Sequence, residues 1–230
     1  MQRQTRAFLA IWHDIDPAME PEWHRWHTYE HLPERVGIPG FLAGRRYMSD
    51  DAPLQRCFTL YEGAELSVFN SPAYLERLNN PTPWTQKISP AFRAFMRGAC
   101  RLVATAGHEH GYAGAVLTIR LLPEGDTPGA EAQQAAAAAL VERLAALDGV
   151  TGAHVGLCAQ DVTRVETNER KMRSGTAEQP LDGVVVVEGF DKAALAAATD
   201  EIAAIVAGAG LGFRPDHRQV YHLAHMLREA

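Results

Sequence analysis

The chain has 230 residues, of which 47% are hydrophobic and 22% charged, with a formal net charge of −6. This length allows one large or two small domains, and the composition excludes an intrinsically disordered chain. The arginines are dispersed along the sequence, which argues against a surface for nucleic acid or for an anionic membrane.

The first half predicts the element order βαββαβ, which is a ferredoxin-like unit. Alternating apolar residues indicate the strands, and turn residues separate them from helical stretches. Pro33 should kink or break the first helix, because it cannot donate a hydrogen bond to the Tyr29 carbonyl. The predicted elements are a strand over 6–15, a helix over 20–37, strands over 41–49 and 55–64, a helix over about 65–80, a short helix near 85–95 and a strand over 97–107.

The second half repeats that element order, and short stretches of the two halves are also similar in sequence. Tyr61-Glu62-Gly63-Ala64 corresponds to Val187-Glu188-Gly189-Phe190. We therefore predict an internal duplication with units at 1–110 and 111–230, in which the polar stretch 161–180 is a loose excursion. The predicted elements are strands over 113–122, 149–160, 181–190 and 218–230, and helices over 131–147 and 191–210.

Location and partners follow from what the sequence lacks. Three widely spaced cysteines form no C-x-x-C pair, which is typical of a reducing compartment. The first apolar run is too short for a signal peptide, and no stretch approaches the roughly 18 apolar residues of a transmembrane helix. We expect a cytoplasmic protein with no membrane partner.

Titratable side chains concentrate in the first helix and the turn after it, EPEWHRWHTYEHLPERVGIPGF over residues 20–41. At about 100° per residue, His24, His27 and His31 lie within an arc of roughly 60°. We expect this arc to present imidazoles while a separate apolar arc packs on a sheet. The helix of the second half has alanine, leucine and valine instead, so only the first unit has a candidate site. The apolar arc comprises Trp26, Tyr29, Leu32 and Val36.

Two segments, WHRWHTYEHLPERVGIPGFLAGRRY and SPAYLERLNNPTPWT, resemble the dimeric α/β-barrel superfamily, in particular its EthD-like and stress-responsive A/B-barrel groups. The resemblance implies an α+β fold in which two ferredoxin-like units pair their sheets into a barrel, here within one chain. Such families include cofactor-free oxygenases, lactone isomerases, polyketide cyclases and haem-degrading enzymes. Their pockets lie between helices and sheet, and the histidine ahead of the proline-glycine turn corresponds to His31.

His31 is the candidate general acid or base, because an imidazole titrates near neutral pH. Glu30 or His27 would assist it, and Tyr47 or Tyr61 would orient one of its ring nitrogens. The alternative is that these are surface histidines of a purely structural helix.

Aromatic and cationic residues nearby are candidate substrate contacts. Trp23, Trp26 and Trp84 could wall a cavity for an aromatic or polyketide-like molecule, or could be packing residues only. Arg45 and Arg46 are consecutive strand residues, so only one faces a given pocket. That one, with Arg46 as the candidate, could bind a carboxylate or an enolate. Glu34 and Arg35 are interpreted as a solvated surface with local pairing.

Two ligand-binding alternatives remain beside acid–base chemistry. His27-Thr28-Tyr29-Glu30-His31 fits the zinc motif H-x-x-E-H, with Glu109 as a distant third ligand, but short motifs of this kind arise easily by chance. A haem-binding member would have a histidine ligand but lacks a recognisable haem motif. We therefore expect neither a metal nor a cofactor.

The hypothesis is a small cofactor-independent lyase, isomerase, cyclase or monooxygenase that acts on a hydrophobic carbonyl-bearing or aromatic molecule. Its partner would be a small-molecule substrate, and self-association into a homo-oligomer stays open. A non-catalytic ligand-binding or stress-associated barrel is the competing class.

Overall fold

A computed structural model describes residues 5–107, 112–125, 128–173 and 181–229. Its eight strands form a closed antiparallel barrel in the order β1-β3-β2-β8-β5-β7-β6-β4. The predicted α+β fold with two successive βαββαβ orders is confirmed. The strands are β1 (Ala7–Ile15), β2 (Phe41–Met48), β3 (Cys57–Gly63), β4 (Phe92–Gly107), β5 (Ala115–Pro123), β6 (Val150–Cys158), β7 (Gly183–Gly189) and β8 (Phe213–Arg228).

Eight α-helical segments are described, together with a π-helical turn at His27–His31 and 3₁₀ turns at Leu66–Asn70 and Ser89–Ala91. None of the described helices is long and apolar enough to cross a membrane. The α-helical segments are α1 (Glu20–Trp26), α2 (Leu32–Val36), α3 (Pro72–Asn79), α4 (Pro83–Ile88), α5 (Ala130–Ala145), α6 (Gln160–Thr163), α7 (Asn168–Met172) and α8 (Lys192–Ala207).

The chain divides into two compact units that are not simple sequence halves. The first comprises 1–99, 159–180 and 224–230, and the second comprises 100–158 and 181–223. The long strands β4 and β8 each contribute one part to each unit. The predicted boundary between 110 and 111 lies outside the described residues, and that division stays a prediction.

In the first unit, strand periodicity decides which side chains meet the helices. Leu9 of β1 pairs with Tyr61 of β3, and both belong to the apolar core beneath α2. Trp12 has the opposite parity and contacts Phe58 on the other face of the sheet, with ring centroids 5.0 Å apart. Successive strand residues point to opposite faces, so odd-numbered residues of β1 and β3 face the helices.

The first helix neither ends nor breaks at Pro33, because the turn before the proline widens. The Leu32 amide donates to the His27 carbonyl, five residues back, and α2 continues to Val36. A π-type turn shifts the hydrogen-bond register where Pro33 lacks a donor and its ring would crowd the Tyr29 carbonyl. Pro33 then occupies the first turn of α2, where a missing N–H costs little.

The widened turn also changes which side chains face the sheet. His27 and His31 are both buried, whereas Tyr29 is 73% exposed. The prediction that Tyr29 belongs to the packing arc is therefore wrong. One extra residue in the turn rotates the helix surface relative to a regular 3.6-residue period.

Two segments differ from their sequence-based interpretation. Strand β4 begins at Phe92 and not at Arg97, because Phe92 and Phe95 are buried around an irregular strand residue, Ala94, with φ of 48°. The excursion predicted as loose contains α6 and α7, and its described part packs on the first unit. Glu169 of α7 is buried there, which apolar periodicity does not reveal.

The second unit has a core of aliphatic residues. Its helices α5 and α8 pack small and branched side chains, such as Leu140, Leu144 and Ile202, on valines of β7. No described residue of this core is aromatic apart from the partly buried Phe213. Tight aliphatic packing of this kind stabilises the fold and offers few groups for chemistry.

Gly44 lets the first helix approach the sheet closely. A Cβ at this position would lie 2.6 Å from Leu32 Cδ1 and 3.0 Å from the Tyr61 ring. We expect Gly44→Ala to lower the free energy of unfolding by about 1–3 kcal/mol, as overpacking does. Urea unfolding checks this against Gly208→Ala, whose Cβ would make an ordinary 3.6 Å contact. Equal stability of both variants would contradict the close packing of helix and sheet.

Candidate active site

A cavity of about 40 Å³ lies inside the first unit, between the first helix, the sheet and α7. By volume it holds only a few water molecules. Aromatic rings and titratable groups share its wall. The lining residues are Ile11, His13, Trp26, His27, His31, Arg35, Thr59, Tyr61, Tyr74, Leu78, Phe92, Phe95, Arg97, Glu169 and Arg173.

His27 and His31 stand at the two ends of the π turn and both reach this cavity. Their ring centroids are 5.5 Å apart, and the His31 ring lies 4.2 Å from that of Trp26. The Nδ1 atoms of both histidines are buried and have no hydrogen-bond partner among the described residues. A polar atom in this situation is available to a ligand or to water.

The surroundings keep both imidazoles neutral at pH 7. Burial lowers the pKa of His27 and of His31 well below 6.5, and nearby cations lower it further. Arg46 is the main cation near His27, and Arg35 is the main one near His31. A neutral imidazole accepts a proton, so the arrangement favours a base over an acid.

A third histidine, which was not among the candidates from the sequence, also lines the cavity. His13 of β1 donates from Nδ1 to the Asp14 carbonyl at 3.1 Å, and burial lowers its pKa to about 4. Its ring packs against Trp23 and Phe92 with centroids 5.2 and 4.7 Å away. The available signal was strand parity, since His13 shares a face with Leu9 and Ile11.

A buried ion-pair chain links the first helix to α7. Arg35 Nη2 donates to Glu169 Oε2 at 2.6 Å, and Arg173 Nη1 donates to Glu169 Oε1 at 3.1 Å. Arg35 is 2% exposed, so the prediction that it belongs to a solvated surface is wrong. Arg35 Nη1 also donates to the neighbouring Glu34 at 2.9 Å, which is the predicted local pairing. Glu169, in contrast, lies 134 residues away in sequence, and no local pattern indicates that pairing.

Hydroxyl groups of the sheet complete the polar part of the cavity. Tyr61 Oη and Thr59 Oγ1 are buried without a hydrogen-bond partner among the described residues. Burial raises the pKa of Tyr61, so its hydroxyl stays protonated and can donate. Both residues lie on β3, two positions apart, and therefore on one face.

Of the candidate residues from the sequence, the structure brings His27, His31, Trp26 and Tyr61 to the cavity. Glu30 is not among the lining residues. Its carboxylate accepts a 2.5 Å hydrogen bond from the Thr82 hydroxyl, and Thr82 also caps α4. Glu30 therefore ties the first helix to α4.

Three other candidate contacts lie elsewhere in the first unit. Trp23 is buried in a neighbouring core cluster, and the Arg46 guanidinium lies 5.4 Å from its ring. Arg46 also donates to the Thr28 hydroxyl at 3.1 Å, which holds it beneath the first helix. Trp84 donates from Nε1 to Glu22 at 3.1 Å near the surface.

Tyr47 lies on the opposite face of the sheet from the histidines. Its ring stacks on Phe58 at 5.8 Å, next to Trp12. Phe41 of β2 packs beneath the helices, but a bulge between Phe41 and Ala43 reverses the alternation, so Tyr47 points away from them. Strand alternation alone would have placed Tyr47 on the wrong face.

No group of three histidine, cysteine, aspartate or glutamate residues within 5–107, 112–125, 128–173 and 181–229 could hold a metal ion. Glu109, the third ligand of the zinc alternative, lies outside the described residues. Among the described residues, His27 and His31 therefore lack the third ligand that a protein zinc site requires.

Several solved structures share this fold. An anthrone oxidase-like protein superposes with a TM-score of 0.63 at 14% identity, over 98% of this chain and 94% of its own. A mutant chlorite dismutase from Candidatus Nitrospira defluvii gives 0.57 at 9% identity, over 96% of this chain and 93% of its own. A proposed monooxygenase from Fusobacterium nucleatum subsp. nucleatum superposes with a TM-score of 0.56 at 8% identity, over 98% of this chain and 95% of its own. No family model and no curated protein matches the sequence.

The fold is a dimeric α/β barrel. The predicted architecture, an α+β fold in which two ferredoxin-like units of one chain form a closed barrel, is confirmed. Identities of 14% or less show the fold alone, because one fold hosts many activities. The EthD-like grouping and the role of each candidate residue stay predictions.

The ion pair at Glu169 should be important for stability. We expect Glu169→Ala to lower the free energy of unfolding by about 3–5 kcal/mol, because it leaves Arg35 and Arg173 buried without their shared carboxylate. Glu166→Ala is the matched control, since that exposed carboxylate pairs with Arg170 at 3.7 Å only at the surface. Chemical denaturation of both variants checks the expectation. If Glu169→Ala destabilised the protein as little as Glu166→Ala does, water would be replacing the lost carboxylate and the expectation would be wrong.

The buried histidines should make the fold sensitive to mild acid. The folded pKa of His13 is about 4 against 6.5 for a free imidazole, so the unfolded chain binds a proton that the folded chain refuses. Stability is full above pH 6.5 and falls as the pH drops, by about 1.4 kcal/mol per pH unit for each such group. His13→Asn should reduce the slope between pH 6.5 and 5 by about one group's share. Urea unfolding at pH 7, 6 and 5 measures this, and an unchanged slope would contradict it.

Proposed function

We propose that this protein is a small enzyme that removes a proton from an activated carbon of a hydrophobic carbonyl-bearing or aromatic molecule. His31 is the base, and His27 assists it. The observation that carries the proposal is a pair of buried, neutral imidazoles beside an aromatic cavity, whose Nδ1 atoms have no partner among the described residues.

The other cavity groups suit the same step. The proton moves from carbon to an imidazole nitrogen, and the electron pair of the C–H bond passes to the carbonyl oxygen, which becomes an enolate. Tyr61 Oη is a buried donor without a partner among the described residues, so it can stabilise that oxygen. Trp26, Phe92 and Phe95 provide apolar surface for the rings of the substrate.

A single proton abstraction is common to the four reaction types predicted from the sequence. Reprotonation at another carbon gives an isomerase, loss of a leaving group gives a lyase, and attack on a second carbonyl gives a cyclase. With dioxygen as the oxidant and second substrate, the enolate of a ketone such as anthrone yields a quinone and one water molecule. Anthrone is a useful test molecule, because a structure of the same fold is named anthrone oxidase-like.

The size of the cavity limits what binds without rearrangement. An aromatic substrate needs more than about 40 Å³, so one wall must move when it binds. We propose that α7 is this wall. The two hydrogen bonds from Asn168 to Asn79 that hold its first turn are exposed to solvent, so water can replace them when the helix moves. The Glu169 ion pairs would then rearrange as substrate enters.

The haem alternative fits these residues poorly. A haem would need a much larger opening of the cavity than an aromatic substrate, and the Trp26 ring lies 6.0 Å from the His27 ring and 4.2 Å from the His31 ring. No step is therefore assigned to haem or to a metal. A non-catalytic ligand-binding barrel is the second candidate, because the same free donors would hold a ligand without reacting.

His31→Ala should reduce the enzyme-dependent rate by about 10²–10⁴-fold, which is the usual contribution of general base catalysis. The measurement is quinone formation from anthrone in air, and deuterium exchange at the acidic carbon of anthrone without oxygen. His24→Ala is the control, since His24 lies on the same helix but outside the cavity. It should retain the full rate.

Two outcomes would overturn the proposal. An unchanged rate in His31→Ala would exclude His31 as the base. Saturable binding of anthrone without exchange or oxidation, equal in the wild type and in His31→Ala, would instead support the ligand-binding barrel.

A further inference from the structure

Arg97 of β4 is buried at the cavity, and within the described part of the chain it lacks the carboxylate partner that a buried cation normally has. Arg97 is 6% exposed, and it lines the same cavity as His31. Neither Nε nor Nη2 has a hydrogen-bond partner among the described residues. A guanidinium kept out of water without an anion is costly, so such a group is a candidate for ligand binding.

The two free nitrogens belong to the same edge of the guanidinium. Nε–H and one Nη2–H point in parallel from that edge, and this pair of donors matches the two oxygens of a carboxylate. A single ketone oxygen would satisfy only one of them. The donor geometry therefore favours a carboxylate as the occupant.

The described part of the protein offers no spare carboxylate for this edge. Glu169 is the carboxylate that lines the cavity, and its two oxygens accept from Arg35 and Arg173. With the histidines neutral, Arg35, Arg97 and Arg173 line the wall against two carboxylates, Glu169 in the wall and Glu34, which pairs with Arg35 at 2.9 Å. The wall thus has an excess of positive charge, which favours an anionic ligand.

We propose that Arg97 binds a carboxylate of the substrate, so that the substrate class is an aromatic or polycyclic carboxylic acid. The aromatic wall takes the ring, Arg97 takes the carboxylate, and the histidines face the reacting carbon. This inference rests on the proposed function in assigning the cavity to substrate. It also places at Arg97 the role that the sequence interpretation gave to Arg46, which is not among the lining residues and whose Nη1 donates to the Thr28 hydroxyl and the His24 carbonyl.

Binding of benzoate, with benzamide as its uncharged isostere, tests the inference without any turnover. We expect calorimetry on the full chain to show benzoate binding and at least tenfold weaker benzamide binding. Arg97→Met should weaken benzoate binding by about 10- to 100-fold, the loss expected for a charge-assisted pair of hydrogen bonds. Arg97→Lys should lie between, because it keeps the charge and loses the parallel donors.

Arg93→Gln is the matched control, since Arg93 is an exposed residue of the same strand and pairs with Asp16. It should leave benzoate affinity unchanged. Thermal unfolding separates a binding role from a structural role of Arg97, because loss of a structural residue would lower the unfolding temperature. Arg97→Met should unfold at an equal or higher temperature, because it removes a buried unpaired charge.

Equal affinity for benzoate and benzamide, or unchanged benzoate binding in both Arg97 variants, would overturn the proposal. A lower unfolding temperature of Arg97→Met together with unchanged binding would show that Arg97 is structural. Benzoate binding that depends on Arg97 in a protein without proton-transfer activity would support this inference and contradict the proposed function, so the two can fail separately.

Discussion

In the first helix the Leu32 amide bonds to a carbonyl five residues back, and the position of both candidate bases depends on this one wide turn. It lets the helix continue through Pro33, and it places His27 and His31 together against the sheet. Gly44 allows Leu32 of the same helix to pack closely on the sheet beside Tyr61. A regular α-helix with a proline at this point would break or would turn one imidazole toward solvent.

Burial and positive charge act in the same direction on these histidines. Desolvation lowers their pKa values, and nearby guanidinium groups, Arg46 for His27 and Arg35 for His31, lower them further. The result is a set of neutral bases in a wall that still attracts anions. An acidic substrate would then meet a cation that holds it and an uncharged imidazole that accepts its proton, which is a consistent division of labour for enolate chemistry.

The two units differ in what their side chains can do. The first combines aromatic rings, histidines and arginines around a cavity, and the segment 159–180 supplies Glu169 and Arg173 to it. The described core of the second is aliphatic and is built from alanine-rich helices on valine-rich strands. This contrast agrees with a duplication in which one unit keeps a site and the other serves the fold.

The sequence by itself determined the element order, the repeated α+β architecture and the helix on which the candidate bases lie. Those features depend on local periodicity and turn residues, which can be read from neighbouring letters. Only the tertiary structure decided that Arg97 and Glu169 join the cavity and that Tyr47 and Glu30 do not. The bulge in β2, the register shift before Pro33 and a pairing across 134 residues set those positions. Contacts of that range leave no local pattern, because burial of a charge depends on partners that only folding brings near.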